Sequence, residues 1–390
     1  MSNPIIDQIV EAIEIPDTSY DLANKRYIDL GEWINRENSS CAVNGAILRP
    51  QGSFRFGTVI RPINNQDEYD LDMSCIFEKG ISKTTHTQEQ IKTMLGNEIE
   101  AYRVYRGIEE KKEEKHRCWR LSYKDQIKFH LDIVPCIPDE ATSKEIIANT
   151  MTKYGVLHEF AEAIAISSVA ITDNRHPNYR TICNDWKISN PEGYAQWFES
   201  RMKLAERAFM EKVVGIEELP SYKWKTPLQR CVQILKRHRD VMFAQNSDVK
   251  PSSIIITTLA ANAYNGEPNV EDAVKNVLIK IKGLINQAIP RIPNPVDHRE
   301  DFADKWATED GLALKLEQNF SNWLDQAIVD FNIIETSQDI QFVEKQAMQK
   351  YSISLDVKKI EEALRYKGPT VNVAPKYHNI EGAPKPWQNL

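Results

Sequence analysis

No apolar run in this chain approaches the roughly 20 residues that a membrane-spanning helix needs. The longest apolar cluster, around Ile254 to Ile256, is far too short. The first residues, Met-Ser-Asn-Pro-Ile-Ile-Asp-Gln, contain no basic segment followed by an apolar one, so no secretory signal is read there. Excess positive charge is also missing: 49 Lys and Arg stand against 56 Asp and Glu, a net charge of −7 that leaves no global footprint for duplex nucleic acid. Six cysteines (Cys41, Cys75, Cys118, Cys136, Cys183, Cys231) are scattered without Cys-x-x-Cys or His/Cys clusters. That argues against a disulfide framework or a zinc site and fits a reducing compartment. Repeats and low-complexity tracts are absent. The expectation is a cytoplasmic protein with no membrane partner and no bulk binding of duplex DNA.

What is present suffices for sizeable cores. At 390 residues and 41% hydrophobic content, the chain is long enough for two lobes. Helical spacing of apolar residues runs over Pro4 to Ile13, Asp17 to Ile34 and Thr87 to Arg106. The first two helices are expected to pack across the back of a sheet. Ala163 to Thr172 reads as a strand, and Pro191 opens a helix from about Glu192 to Val213 that would be the spine between the lobes. Further helices are expected over Val270 to Ile289, Leu312 to Ile333, Asp339 to Lys350 and Val357 to Tyr366. The charged run Glu109 to Arg117 has mixed signs and reads foremost as a solvated loop.

Chemistry concentrates between Gln51 and Phe77. The segment Asp70-Leu71-Asp72 sits in a strand pattern, so both carboxylates share one face while Leu71, Met73, Cys75 and Phe77 share the other. Adjacent carboxylates repel unless a cation lies between them, and hard divalent ions such as Mg2+ take oxygen ligands. Upstream, Gly52-Ser53 offers close backbone approach and a hydroxyl for a phosphate. A two-metal site asks for a third carboxylate. Asp132, in Lys128-Phe-His-Leu-Asp-Ile-Val-Pro135, is a lone acid in a strand-like run, with Arg117 to Tyr123 as its hairpin partner. An isolated Asp-x-Asp or Gly-Ser is ordinary loop material; their order together carries the inference.

These motifs resemble the nucleotidyltransferase superfamily that includes DNA polymerase beta, poly(A) polymerase and oligoadenylate synthase. More closely, Gly52-Ser-Phe-Arg-Phe-Gly-Thr58, Tyr69-Asp-Leu-Asp72, His130-Leu-Asp-Ile-Val-Pro135, Thr226 to Lys236 and Pro251 to Thr258 resemble the bacterial cGAS/DncV-like nucleotidyltransferases, over roughly Met1 to Lys367. The resemblance implies an α+β, bilobal fold: a mixed-sheet catalytic lobe over 1–217, a helical lobe over 218–367 and a polar tail over 368–390. It implies synthesis of a cyclic di- or trinucleotide from NTPs, ATP or GTP foremost, in antiphage signalling. A downstream effector would respond to the product, and a regulatory protein partner is compatible with this role. Asp70, Asp72 and Asp132 would hold two Mg2+ ions, with Mn2+ as a substitute, and Gln51, Gly52 and Ser53 would contact the nucleotide.

The second half carries further candidates. Thr226-Pro227 starts a helix whose apolar stripe includes Leu228, Cys231, Val232, Leu235 and Met242, with Arg239 inside the stripe and Lys236 at its edge. A cation in such a stripe needs an anion. For Arg239 an internal ion pair is expected; for Lys236 the resemblance favours triphosphate contact over an ordinary surface lysine. Ser252 and Ser253 open another helix, where they serve as caps, as phosphate contacts, or as both. Two rival functions remain: a linear oligonucleotide or RNA-end transferase, and a non-catalytic nucleotide- or RNA-binding scaffold. The three retained acids weigh against the scaffold.

Overall fold

The computed structural model describes residues 3–64, 68–124, 127–203 and 225–365. The chain opens with α1 (Pro4–Ile13), where the Asn3 side chain accepts from the Ile5 N–H and Pro4 occupies the first turn. Next come α2 (Asp17–Ile34), β1 (Ala46–Pro50), the five-residue α3 (Gly52–Phe56) and β2 (Tyr69–Phe77). Helix α4 (Gln88–Tyr105) begins in a capping box: Thr87 Oγ1 accepts from the Gln90 N–H at 3.2 Å, and Gln90 Oε1 accepts from the Thr87 N–H at 2.8 Å. Such a cap contributes about 1 kcal/mol. Strands β3 (Glu113–Glu114), β4 (Trp119–Tyr123) and β5 (Phe129–Pro138) follow, then α5 (Ala141–Lys153), α6 (His158–Ile166), β6 (Val169–Ile171), β7 (Lys187–Ser189) and α7 (Pro191–Met202).

These strands make one mixed sheet in the order β1-β2-β5-β4-β3, with β6 on β5 and β7 on β6. Only the β2–β5 pair is parallel, which the intervening α4 makes possible as a crossover. Leu71, Met73, Cys75 and Phe77 of β2 and Phe129, Leu131 and Ile133 of β5 are buried on the alternate positions, as the strand pattern requires. Each such large side chain contributes on the order of 2 kcal/mol by leaving water. They form one core with α2, α4 and β1.

The second half is helical: α8 (Pro227–Met242), α9 (Ser253–Ala263), α10 (Val270–Ile281), the short hairpin β8 (Pro293–Asn294) and β9 (Asp297–Asp301), then α11 (Glu309–Ala313), α12 (Leu316–Thr336), α13 (Ile340–Tyr351) and α14 (Val357–Arg365). Thr226 and Gln229 close a second capping box at α8. These helices bury a separate core that also takes in α5, α6 and α7. Helix α7 carries the link to the sheet, because Arg55 of α3 forms ion pairs with its Glu192 and Glu199.

Several expectations change. Helix α1 does not lie across the sheet; Ile5, Ile6, Ile9 and Ile13 are buried in the helical core, against α8 and α14. The first four residues of the strand read over Ala163 to Thr172 are the end of α6, whose Ala161, Ile164 and Ala165 bury at helical spacing, and only Val169–Ile171 pairs with β5. Helix α10 ends at Ile281 rather than Ile289. The span from Leu312 is broken at Lys315, which takes a left-handed conformation before α12. The distal part of the expected spine helix, the lobe boundary at 217/218 and the tail at 368–390 lie outside the described residues. No helix among the described residues is long and apolar enough to cross a membrane.

Candidate active site

The β2–β5 register places Asp70 opposite His130 and Asp72 opposite Asp132. Because the pair is parallel and in step, the three acids meet on the face away from the buried Leu71 and Leu131. Single ligand atoms of Asp70, His130 and Asp132 lie within 4.8 Å of one another. Two of the acids already have partners. Arg120 on β4 donates to both oxygens of Asp132, at 2.7 and 2.6 Å, and this bond raises its own pKa further. His130 bridges Asp70 and Glu68, each at 3.0 Å. Burial is the largest single effect and disfavours protonated His130, but the bond and charge of Asp70 and the bond to Glu68 together outweigh it and raise the pKa.

Asp72 has no such partner among the described residues. Burial, then the charge of Asp70, then that of Asp132 push its carboxyl well above the usual range. A carboxylate gathered with two others and given no cation is the signature of a site for a foreign cation. The donors are hard oxygens with an imidazole beside them, a set that suits Mg2+ or Mn2+. The Arg120 fork leaves each Asp132 oxygen a further lone pair, so it orients the ligand rather than consuming it.

A cleft of about 770 Å3 opens beside the acids, within the range of small-molecule sites. Gln51, Gly52, Ser53, Asp70, Asp72, Lys236 and Ser253 line it. Gly52 is required where it stands: its φ is +66°, and a Cβ there would sit 2.3 Å from Asp72 Oδ2. The Gln51 N–H donates to the Asp72 carbonyl at 2.9 Å, tying the turn to β2. Lys236 reaches in from α8, its Nζ donating to the Thr58 carbonyl at 2.9 Å. Burial lowers its pKa to about 7, and the charge of Arg239 adds to that. Arg239 pairs with Asp240 as expected and also donates to Ser253 Oγ at 2.7 Å. Ser252 sits at the start of α9 without capping it through its side chain, and it is not among the cleft-lining residues.

Residues 47–135 match the family described as the nucleotidyltransferase domain of cyclic GMP-AMP synthase DncV-like proteins. A c-di-GMP synthase of Roseivirga ehrenbergii is 31% identical over 318 residues, which span 78% of this chain and 73% of the relative. The chain belongs to the cGAS/DncV-like nucleotidyltransferases. In fold it is similar to CdnG of Bradyrhizobium diazoefficiens, solved with GTP, at a TM-score of 0.63 and 19% identity, covering 93% of this chain and 99% of that one. It is also similar to CdnC of E. coli MS115-1, solved with a HORMA protein, at a TM-score of 0.57 and 10% identity, covering 90% and 97%. The architecture is therefore the bilobal nucleotidyltransferase fold, and the chain is an enzyme of that class.

Sequence reasoning about this nucleotidyltransferase missed Arg120, the Glu68–His130 bridge and the polar β8–β9 hairpin. Arg120 was within reach: counting back along the hairpin from Tyr123 opposite Phe129 puts Arg120 opposite Asp132. Nothing local marks Glu68 or the hairpin.

Proposed function

We propose that this enzyme joins NTPs into a cyclic oligonucleotide, a dinucleotide foremost, by in-line attack of a ribose hydroxyl on the α-phosphorus of a bound NTP with loss of pyrophosphate. The observation that supports this reading most is the gathering of Asp70, Asp72 and Asp132 on one face of the β2–β5 pair, with Asp70 and Asp72 lining a cleft that also takes in Lys236. Asp70, Asp72 and Asp132 would hold two Mg2+ ions, or Mn2+ in their place. Bound there, the metal supplies charge neutralisation for the triphosphate and a lowered pKa for the attacking hydroxyl. Gly52 admits the triphosphate close to the backbone, Ser53 offers its hydroxyl and Gln51 holds the turn. Lys236 and Ser253 contact the phosphates, with Ser252 beside them at the helix start. Arg120 and His130 keep Asp132 and Asp70 aimed.

The names of the relatives favour guanine-containing products. The family resemblance supports a role in cytoplasmic antiphage signalling through an effector that senses the product. The CdnC–HORMA assembly supports a regulatory protein partner. The test is incubation of the pure protein with each labelled NTP and Mg2+ or Mn2+, followed by phosphatase. A phosphatase-resistant oligonucleotide is expected. A product that phosphatase strips of terminal phosphates would make this a linear transferase, and no product with any NTP mixture would overturn the reading.

A further inference from the structure

The β8–β9 hairpin contributes Asn294, Glu300 and Phe302 to the same cleft. Asn294 is 4% exposed and anchored, its Oδ1 accepting from the Val296 N–H at 3.0 Å. Its Nδ2 donates to Glu300 Oε2 at 2.7 Å, which fixes that carboxylate's direction. The neighbouring charges are used elsewhere: Arg299 pairs with Asp297, and Asp301 accepts from the Arg291 and Ile292 N–H groups. Asp240, on another part of the lining, is tied to Arg239 and Lys250. Among the described residues Glu300 has no cationic partner. Beside it, Phe302 meets Tyr194 edge-on with ring centroids 5.9 Å apart, and both rings line the cleft.

A positioned, unneutralised carboxylate next to an aromatic wall is the complement of one nucleobase edge. Guanine presents two adjacent donors, N1–H and the N2 amine, and one carboxylate can accept both. Adenine and cytosine place a ring acceptor beside their amine, whose lone pair a carboxylate repels. Uracil has a single N–H flanked by carbonyls. The geometry points to Glu300 as the guanine-reading residue of this enzyme, positioned by Asn294, so that GTP is the NTP accepted at this part of the cleft. The inference rests on the nucleotidyl-transfer reading and adds the base to it.

The experiment compares GTP, inosine triphosphate and ATP, since inosine keeps N1–H but lacks the N2 amine. Initial rates of nucleotidyl transfer are measured for wild type, Glu300→Gln and Glu300→Asp, and each GTP/ITP ratio is taken within one preparation, so that it is independent of the folded fraction. Wild type is expected to prefer GTP over ITP by about tenfold or more, Glu300→Gln to bring the two within about twofold, and Glu300→Asp to retain most of the preference. An unchanged ratio in Glu300→Gln, or a wild type that does not separate GTP from ITP or that prefers ATP, overturns the inference. Should no NTP be turned over, the transfer reading has failed instead, and equilibrium binding of GTP and ITP in Ca2+, read as the same ratio, still decides the role of Glu300.

Discussion

Asp72 and Asp330 are the same residue in two lobes, and the protein treats them in opposite ways. Asp330 on α12 is 2% exposed, yet His238 at 3.0 Å, Lys350 at 3.2 Å and Gln326 at 2.9 Å surround it. Burial alone would raise its pKa, but these bonds, His238 first, lower it. Asp72 is half-buried at the cleft, and desolvation, Asp70 and Asp132 all raise its pKa. The difference separates a charge that the fold has neutralised from one left for something the protein must bind. An acid with its partners built in belongs to the architecture; a desolvated acid without them belongs to the chemistry.

The comparison breaks most directly at activity. Changing Asp70 and Asp72 together to Asn should lower nucleotidyl transfer at least about a thousand-fold, the several kcal/mol that charge neutralisation at a transferring phosphoryl supplies, with no loss of melting temperature. Retained synthesis would remove the distinction. Asp330→Asn should do the converse, costing about 3 kcal/mol in denaturant unfolding because Lys350 and His238 lose their buried anion, while each folded molecule keeps its activity.

The pH response sharpens the contrast. With divalent ions chelated, Asp72 penalises the fold at pH values above its raised pKa. That penalty should fade as pH drops toward about 4, so wild type gains stability relative to Asp72→Asn in this window. Asp330, with its lowered pKa, stabilises above about pH 4, and its advantage over Asp330→Asn should disappear only below that. Parallel slopes for the two variants would contradict the opposite shifts. The smallest expected signal is at Lys236. With its pKa near 7, it is largely neutral at pH 8 in the free protein. Triphosphate binding should therefore draw up a fraction of a proton, measured by calorimetry in buffers of different ionisation enthalpy, and Lys236→Met should abolish that uptake.

Much of the catalytic half was legible because its signals are local. Alternation over β2 and β5 assigned the faces of Asp70, Asp72 and Asp132, and the Thr226 cap marked a helix start that the structure reproduces. Where local signals competed, the reading slipped. Ile164, Ala165 and Ile166 suit strand and helix alike, and packing in the helical core chose helix. The face of α1 was clear while its neighbour was not, since four isoleucines specify an apolar stripe and nothing about which core receives it.

From the chain alone came the type of the main elements, the acidic trio, the glycine beside it and the family to which they point, because each depends on periodicity or on residues close in sequence. The tertiary structure decided which charges are answered. Arg120 meets Asp132, His130 meets Asp70, Lys350 meets Asp330, and Asp72 and Glu300 meet no cation among the described residues. Neutralisation acts over a few ångströms in space and is indifferent to separation along the chain, so only the fold could show which acids were left for a ligand.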